Sequence, residues 1–96
     1  MDSTIKPTFV ASALSLLKER LDRMPEDTSR DNYLTTRVEQ SIRELERPGI
    51  TLTDSVDDLM LVVDVAAWNY ANRDKQTGEP EWLRRKIVRR WLNSDS

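Results

Sequence analysis

Residues 53–74 read TDSVDDLMLVVDVAAWNYANRD, the longest apolar concentration in the chain. Projected at ~100° per residue, Val56, Leu59, Met60, Val63, Ala66, Ala67 and Tyr70 fall on one broad face of a helix. Leu61, Val65 and Trp68, spaced by four and three, form a second apolar stripe on nearly the opposite side. A helix with two apolar stripes is covered from two directions. Either it is the middle helix of a small bundle, or one stripe faces another subunit. Three other helical segments are available to cover it, which favours the bundle. Thr53 or Asp54 is placed to cap this helix, and Asp54, Asp57 and Asp58 suit its positively polarised N-terminus. Ala66-Ala67 permits a close helix approach.

Working outward, the preceding segment carries Leu34, Val38, Ile42 and Leu45 as a narrow stripe in a charged background, which predicts a surface helix over about 30–47. Asp27, Thr28 or Ser29 supplies its cap, and Pro48-Gly49 stops it. Ile50-Thr51-Leu52 is a short extended link whose apolar side chains tuck under the helices. Further back, Val10, Leu14, Leu17, Leu21 and Met24 share one face of a helix over about 8–23, opened by Pro7 or Thr8 and closed by Pro25. Residues 1–6 read as a flexible leader. After the polar stretch 72–79, Pro80 opens a last helix over about 80–92, with Leu83, Ile87, Val88, Trp91 and Leu92 directed at the core and residues 93–96 frayed. The prediction is an all-α fold, a single domain over 1–96: a small bundle of four helices with the third, about 54–74, central.

The composition bounds the function. Ninety-six residues form one domain whose modest core hides only about 60% of the unfolded surface. The chain has no cysteine and no histidine, so a disulfide framework, a thiolate zinc site and a histidine general base are all excluded. Serines and threonines are plentiful, but none has a histidine to activate it, and there is no nucleophile elbow, Walker motif or dinucleotide fingerprint. No enzyme and no cofactor is expected. The net charge of −2 gives no bulk pull towards DNA or anionic membrane, and no run is long enough to span a bilayer. The N-terminus lacks the pattern of a signal peptide, so the expectation is a soluble intracellular protein.

Two features could carry a partner. Asp64 sits mid-helix between Val63 and Val65 and calls for an ion-pair partner, for which Arg37, Arg43 and the last helix offer candidates; a structural pair is favoured over acid–base chemistry. The last helix carries Arg84, Arg85, Lys86, Arg89 and Arg90, so that residues 79–96 total +2 (five basic, three acidic) while the rest totals −4 (ten basic, fourteen acidic). A recognition helix reads base edges from its first turn, yet Glu79 and Glu81 stand there and repel phosphate. Trp82, lying off the apolar face among Arg85, Lys86 and Arg89, has the composition of an interface hot spot, or else closes the end of the bundle. The candidate interface residues are Trp82, Arg85, Lys86, Arg89, Leu61, Val65, Trp68 and Asp64.

The run Val56-Asp57-Asp58-Leu59-Met60-Leu61-Val62-Val63-Asp64-Val65-Ala66-Ala67-Trp68-Asn69-Tyr70, followed by Arg73, a polar loop and the Pro80-Glu81-Trp82-Leu83-Arg84-Arg85 segment through Trp91, resembles the small head–tail connector (adaptor) proteins of tailed bacteriophages and prophages. The resemblance spans roughly residues 13–92. It implies a structural virion-assembly protein: a homo-oligomeric ring, dodecameric once assembled and possible as a monomer alone. That ring sits under the portal protein, links capsid to tail and meets a downstream head-completion or tail protein. It further implies residence in the virion neck, assembly in the bacterial cytoplasm, at most non-specific contact with channel DNA, and no membrane partner. The alternative from the residues themselves is a small DNA-binding or regulatory domain using the Arg-rich last helix.

Overall fold

The computed structural model describes residues 6–22, 26–72 and 78–93. Its four helices are α1 (Pro7–Arg20), α2 (Asp31–Glu46), α3 (Val56–Ala71) and α4 (Glu81–Leu92). The first three pack each against the other two, and α4 packs against α3. The architecture is therefore an all-α bundle in which a three-helix core carries a fourth helix docked on its outside.

The central position of α3 follows from its sequence. Leu61, Val62, Val63, Asp64, Val65 and Ala66 are buried in an unbroken run, which needs neighbours all round the helix. Both apolar stripes are thus covered within one chain. Against them pack Phe9, Val10, Ala13 and Leu17 of α1, Leu34, Val38, Ile42 and Leu45 of α2, and Ile50 and Leu52 of the link. Leu83 is the one residue of α4 in this core.

Several local expectations are corrected. α1 ends at Arg20 rather than near residue 23, because Asp22 turns into the left-handed region at φ 58° and its N–H bonds to the Glu19 carbonyl at 3.1 Å; an aspartate tolerates that conformation better than most residues. Pro25 and Met24 lie outside the described residues. α2 has Arg30 at its cap with no side-chain bond; Asp27 instead folds onto its own loop, accepting from the Ser29 N–H at 3.1 Å and hydroxyl at 2.7 Å. Ser55, not Thr53 or Asp54, caps α3, its hydroxyl accepting from the Asp58 N–H at 3.2 Å. Val56, assigned to the core face, is 71% exposed, since it occupies the first helical position before any neighbour reaches the helix. In α4, Pro80 is the cap residue and the helix starts at Glu81. The expected leader, the ends of the polar connections and the frayed tail fall largely on residues that are not described.

The largest correction concerns α4. Val88, Trp91 and Leu92, expected in the core, are 48%, 47% and 67% exposed. The inner face of α4 carries Leu83, Lys86, Ile87 and Arg90 instead. These lie three, four and seven residues apart, an interval that also describes one face of a helix.

Candidate protein interface

Two layers of α4 matter: the inner one that fixes the helix and the outer one that it presents. The inner layer is ionic. Arg90 reaches Asp58 with Nε at 2.6 Å from Oδ1 and one terminal nitrogen at 3.1 Å from Oδ2; that same nitrogen lies 2.6 Å from the Thr51 carbonyl. Asp58 also accepts from the Thr53 N–H at 2.7 Å, and the Thr53 hydroxyl lies 2.8 Å from Oδ2. One buried carboxylate therefore ties the extended link, the first turn of α3 and the last turn of α4 together. Burial pushes the Asp58 carboxyl up, but the Arg90 hydrogen bond, the two Thr53 bonds and the nearby Arg90 charge outweigh it, holding the group below the ordinary carboxylate value. The Arg90 guanidinium is raised in turn by its bond to Asp58.

A second ionic contact sits two turns along α3. Asp64 is buried and receives Lys86 Nζ at 2.9 Å on one oxygen and Arg20 of α1 at 2.9 Å on the other. The expected partner from the last helix is present as a lysine. Arg37 instead donates to the Tyr33 hydroxyl at 2.9 and 2.7 Å and stands over the same ring at 5.1 Å, and Arg43 is exposed on α2. The third inner contact is the Trp91 indole, whose N–H donates to the Pro48 carbonyl at 2.9 Å across Gly49. Gly49 has φ 112°, and a Cβ there would lie 3.6 Å from the indole nitrogen, so the turn that ends α2 also makes the seat for this ring.

The outer layer is where apolar surface collects. Of the six large apolar side chains exposed among the described residues, four belong to α4: Trp82, Val88, Trp91 and Leu92. Val88 and Leu92 form a ridge in an open groove flanked by Arg84, Arg85 and Arg89, with Glu79 and Glu81 at its beginning. Trp82 is 51% exposed beside the Lys86 ammonium, 5.4 Å from the ring centre. Arg85 is held by Glu81 at 2.8 Å in a solvent-exposed pair.

The predicted interface residues separate accordingly. Trp82, Arg85 and Arg89 lie on the surface of α4. Lys86 spans both layers, with its ammonium on Asp64. Leu61, Val65 and Asp64 are buried within the chain, Asp64 between Arg20 of α1 and Lys86 of α4. Trp68 is partly buried and packs against the core. Sequence reasoning gave Asp58 to the helix N-terminus, Arg90 to the general basic face and Val88, Trp91 and Leu92 to the core, and so named none of them for the roles they take here. The Ser55-x-x-Asp58 spacing, a capping-box pattern, was a usable signal for Asp58; nothing local distinguishes Arg90 from the other arginines of its helix.

Among the described residues no three acidic, histidine or cysteine side chains gather as a metal site would require, and no helix is long and apolar enough to cross a membrane. No protein-family model, curated protein or solved structure matches this chain.

Proposed function

We propose that this chain is a structural virion-assembly protein, a head–tail connector subunit that forms a ring under the portal and links capsid to tail around the DNA channel. The observation that carries the reading is the outer face of α4. The core lies mainly between α1, α2 and α3, and the fourth helix adds Leu83 to it while keeping its two tryptophans half-exposed and its Val88–Leu92 ridge turned outward. A helix whose own fold leaves its apolar side chains uncovered suits a subunit that completes its burial against a neighbour. The Asp-x-Ala-Ala-Trp-x-Tyr core and the Pro-opened, Arg-rich last helix supply the connector identity through resemblance. No reaction, cofactor or membrane is part of the proposal; the partners are further copies of the chain, a portal protein and a downstream head-completion or tail component, in the virion neck after assembly in the host cytoplasm.

The test is electron microscopy of the purified protein mixed with portal. An added ring layer is the expected result, and a protein that stays monomeric and leaves the portal unchanged at high concentration would overturn the reading.

DNA binding through α4 is the second reading, favoured by the outward Arg84, Arg85 and Arg89. Lys86 and Arg90 are already committed to Asp64 and Asp58, and Glu79 and Glu81 share the outer groove. Duplex binding with a steep salt dependence is what this reading requires.

A further inference from the structure

We propose that the outward face of α4 on one copy docks into the groove between α1 and α2 of a second copy. This deepens the connector reading, on which it rests for the ring itself, by naming the two surfaces that meet.

The first surface is a ridge. Val88 and Leu92 lie one turn apart on α4, exposed, with Arg84 and Arg89 to either side. Neither arginine has an ion-pair or hydrogen-bond partner among the described residues, whereas Arg85 is engaged by Glu81. The second surface is an open groove lined by Pro7, Val10, Ala11 and Leu14 of α1 and by Thr35 and Glu39 of α2. Glu39 is part-buried at this apolar groove and has no partner among the described residues. A ridge of two branched side chains spaced by one turn matches a groove between helices, which is how helices ordinarily pack. A carboxylate left unpaired beside apolar surface gains from an incoming guanidinium, and the bond between them is charge-assisted.

Charge also selects the occupant. Pairing α4 with a parallel α4 of another copy would bring two sets of Arg84 and Arg89 together, a costly like-charge arrangement. An antiparallel pair would offer them Glu79 and Glu81, of which Glu81 is already engaged by Arg85. Pairing α4 with the α1–α2 groove brings arginine to glutamate. The groove is lined by α1 and α2 alone, while α4 packs on α3, so the two surfaces lie on different sides of the bundle. Contact runs from one copy to the next. Such a heterologous contact repeats into a closed ring or an open filament, depending on the rotation per subunit.

The chain contains no cysteine, so introduced thiols report the contact without background. Ala11→Cys and Val88→Cys each alter an exposed position and leave the core intact. Mixed at high concentration, with and without portal, under mild oxidation, the two single variants should yield an Ala11–Val88 cross-linked dimer identifiable by peptide mass. The variant carrying both cysteines should yield a ladder of multimers. Glu39→Arg should reduce the cross-link several-fold, and pairing it with Arg84→Glu and Arg89→Glu on the other copy should recover it. Cross-linking between two Val88→Cys chains only, a purely intramolecular link in the double variant, or no link under any of these conditions would overturn the docking. A portal ring layer that forms without the Ala11–Val88 link leaves the connector reading standing and removes this inference. The link without any affinity for portal does the reverse.

Discussion

Asp58 is the residue on which the docking of α4 turns. Its carboxylate is buried, receives both Arg90 contacts and both Thr53 groups, and stands where three chain segments meet. Removing one partner of a buried ion pair leaves a desolvated charge, so Arg90→Met should cost about 3 kcal/mol in urea denaturation, the lower end of such measurements because Thr53 still serves the carboxylate. Lys86→Met, by contrast, removes a half-exposed ammonium from Asp64, which keeps Arg20, and should cost under about 1 kcal/mol. Equal losses from the two substitutions would mean that the Asp58 pair is not the principal clamp. The pH dependence follows from the same carboxylate. Its folded value lies below its unfolded value, so the folded protein binds the proton less readily. The stabilisation is complete above the unfolded value, near 4, and drains away as pH falls through the folded one. In thermal melts across acid pH, Asp58→Asn should flatten this part of the profile.

α4 is an element held by a few contacts, while α1, α2 and α3 share a continuous core. Buried Leu83, part-buried Ile87, two ionic contacts and an indole N–H hold its inner face. Leu83→Ala should therefore loosen α4 selectively: amides of residues 84–92 should lose hydrogen-exchange protection while those of residues 61–66 keep theirs. Uniform loss along the chain would show instead that α4 and the core unfold as one unit. Helical periodicity made the existence and order of all four helices readable, including the two-sided coverage of α3. It could not rank the two faces of α4. Leu83 and Ile87 fit one inward orientation, Val88 and Leu92 another, and the choice depends on Asp58 and Asp64 drawing Arg90 and Lys86 inward from distant positions in the chain.

For the molecule as a whole, the apolar surface left on α4 allows stability and the proposed association to be tested separately. Val88→Ser with Leu92→Ser changes exposed side chains and should shift the stability of the isolated chain by no more than about 0.5 kcal/mol per site, while abolishing assembly with portal or self-association in sedimentation. A large fall in melting temperature with association unaffected would assign these residues to the fold. Trp68→Ala should do the opposite, lowering stability by about 2–3 kcal/mol because the ring is only partly buried against the core. These two outcomes together would place association on α4 and stability on α3.

The run from Leu61 to Ala66, apolar but for Asp64, requires neighbours on every side wherever it is placed, because six consecutive buried residues circle the helix. That requirement, the stripes on α1 and α2 and the helix-stopping Pro48-Gly49 are all local in the chain, which is why the bundle and its central helix could be read from residues 53–74 outward. Which stripe of α3 meets which neighbour, and which side of α4 remains in solvent, depend on pairs separated by tens of residues. Asp58 with Arg90 and Trp91 with Pro48 form only after the chain has folded back on itself. Their geometry turns Val88 and Leu92 outward and buries Leu61 and Val65, so that of the candidate interface residues those on α4 stay at the surface while Leu61, Val65 and Asp64 of α3 are withdrawn from it.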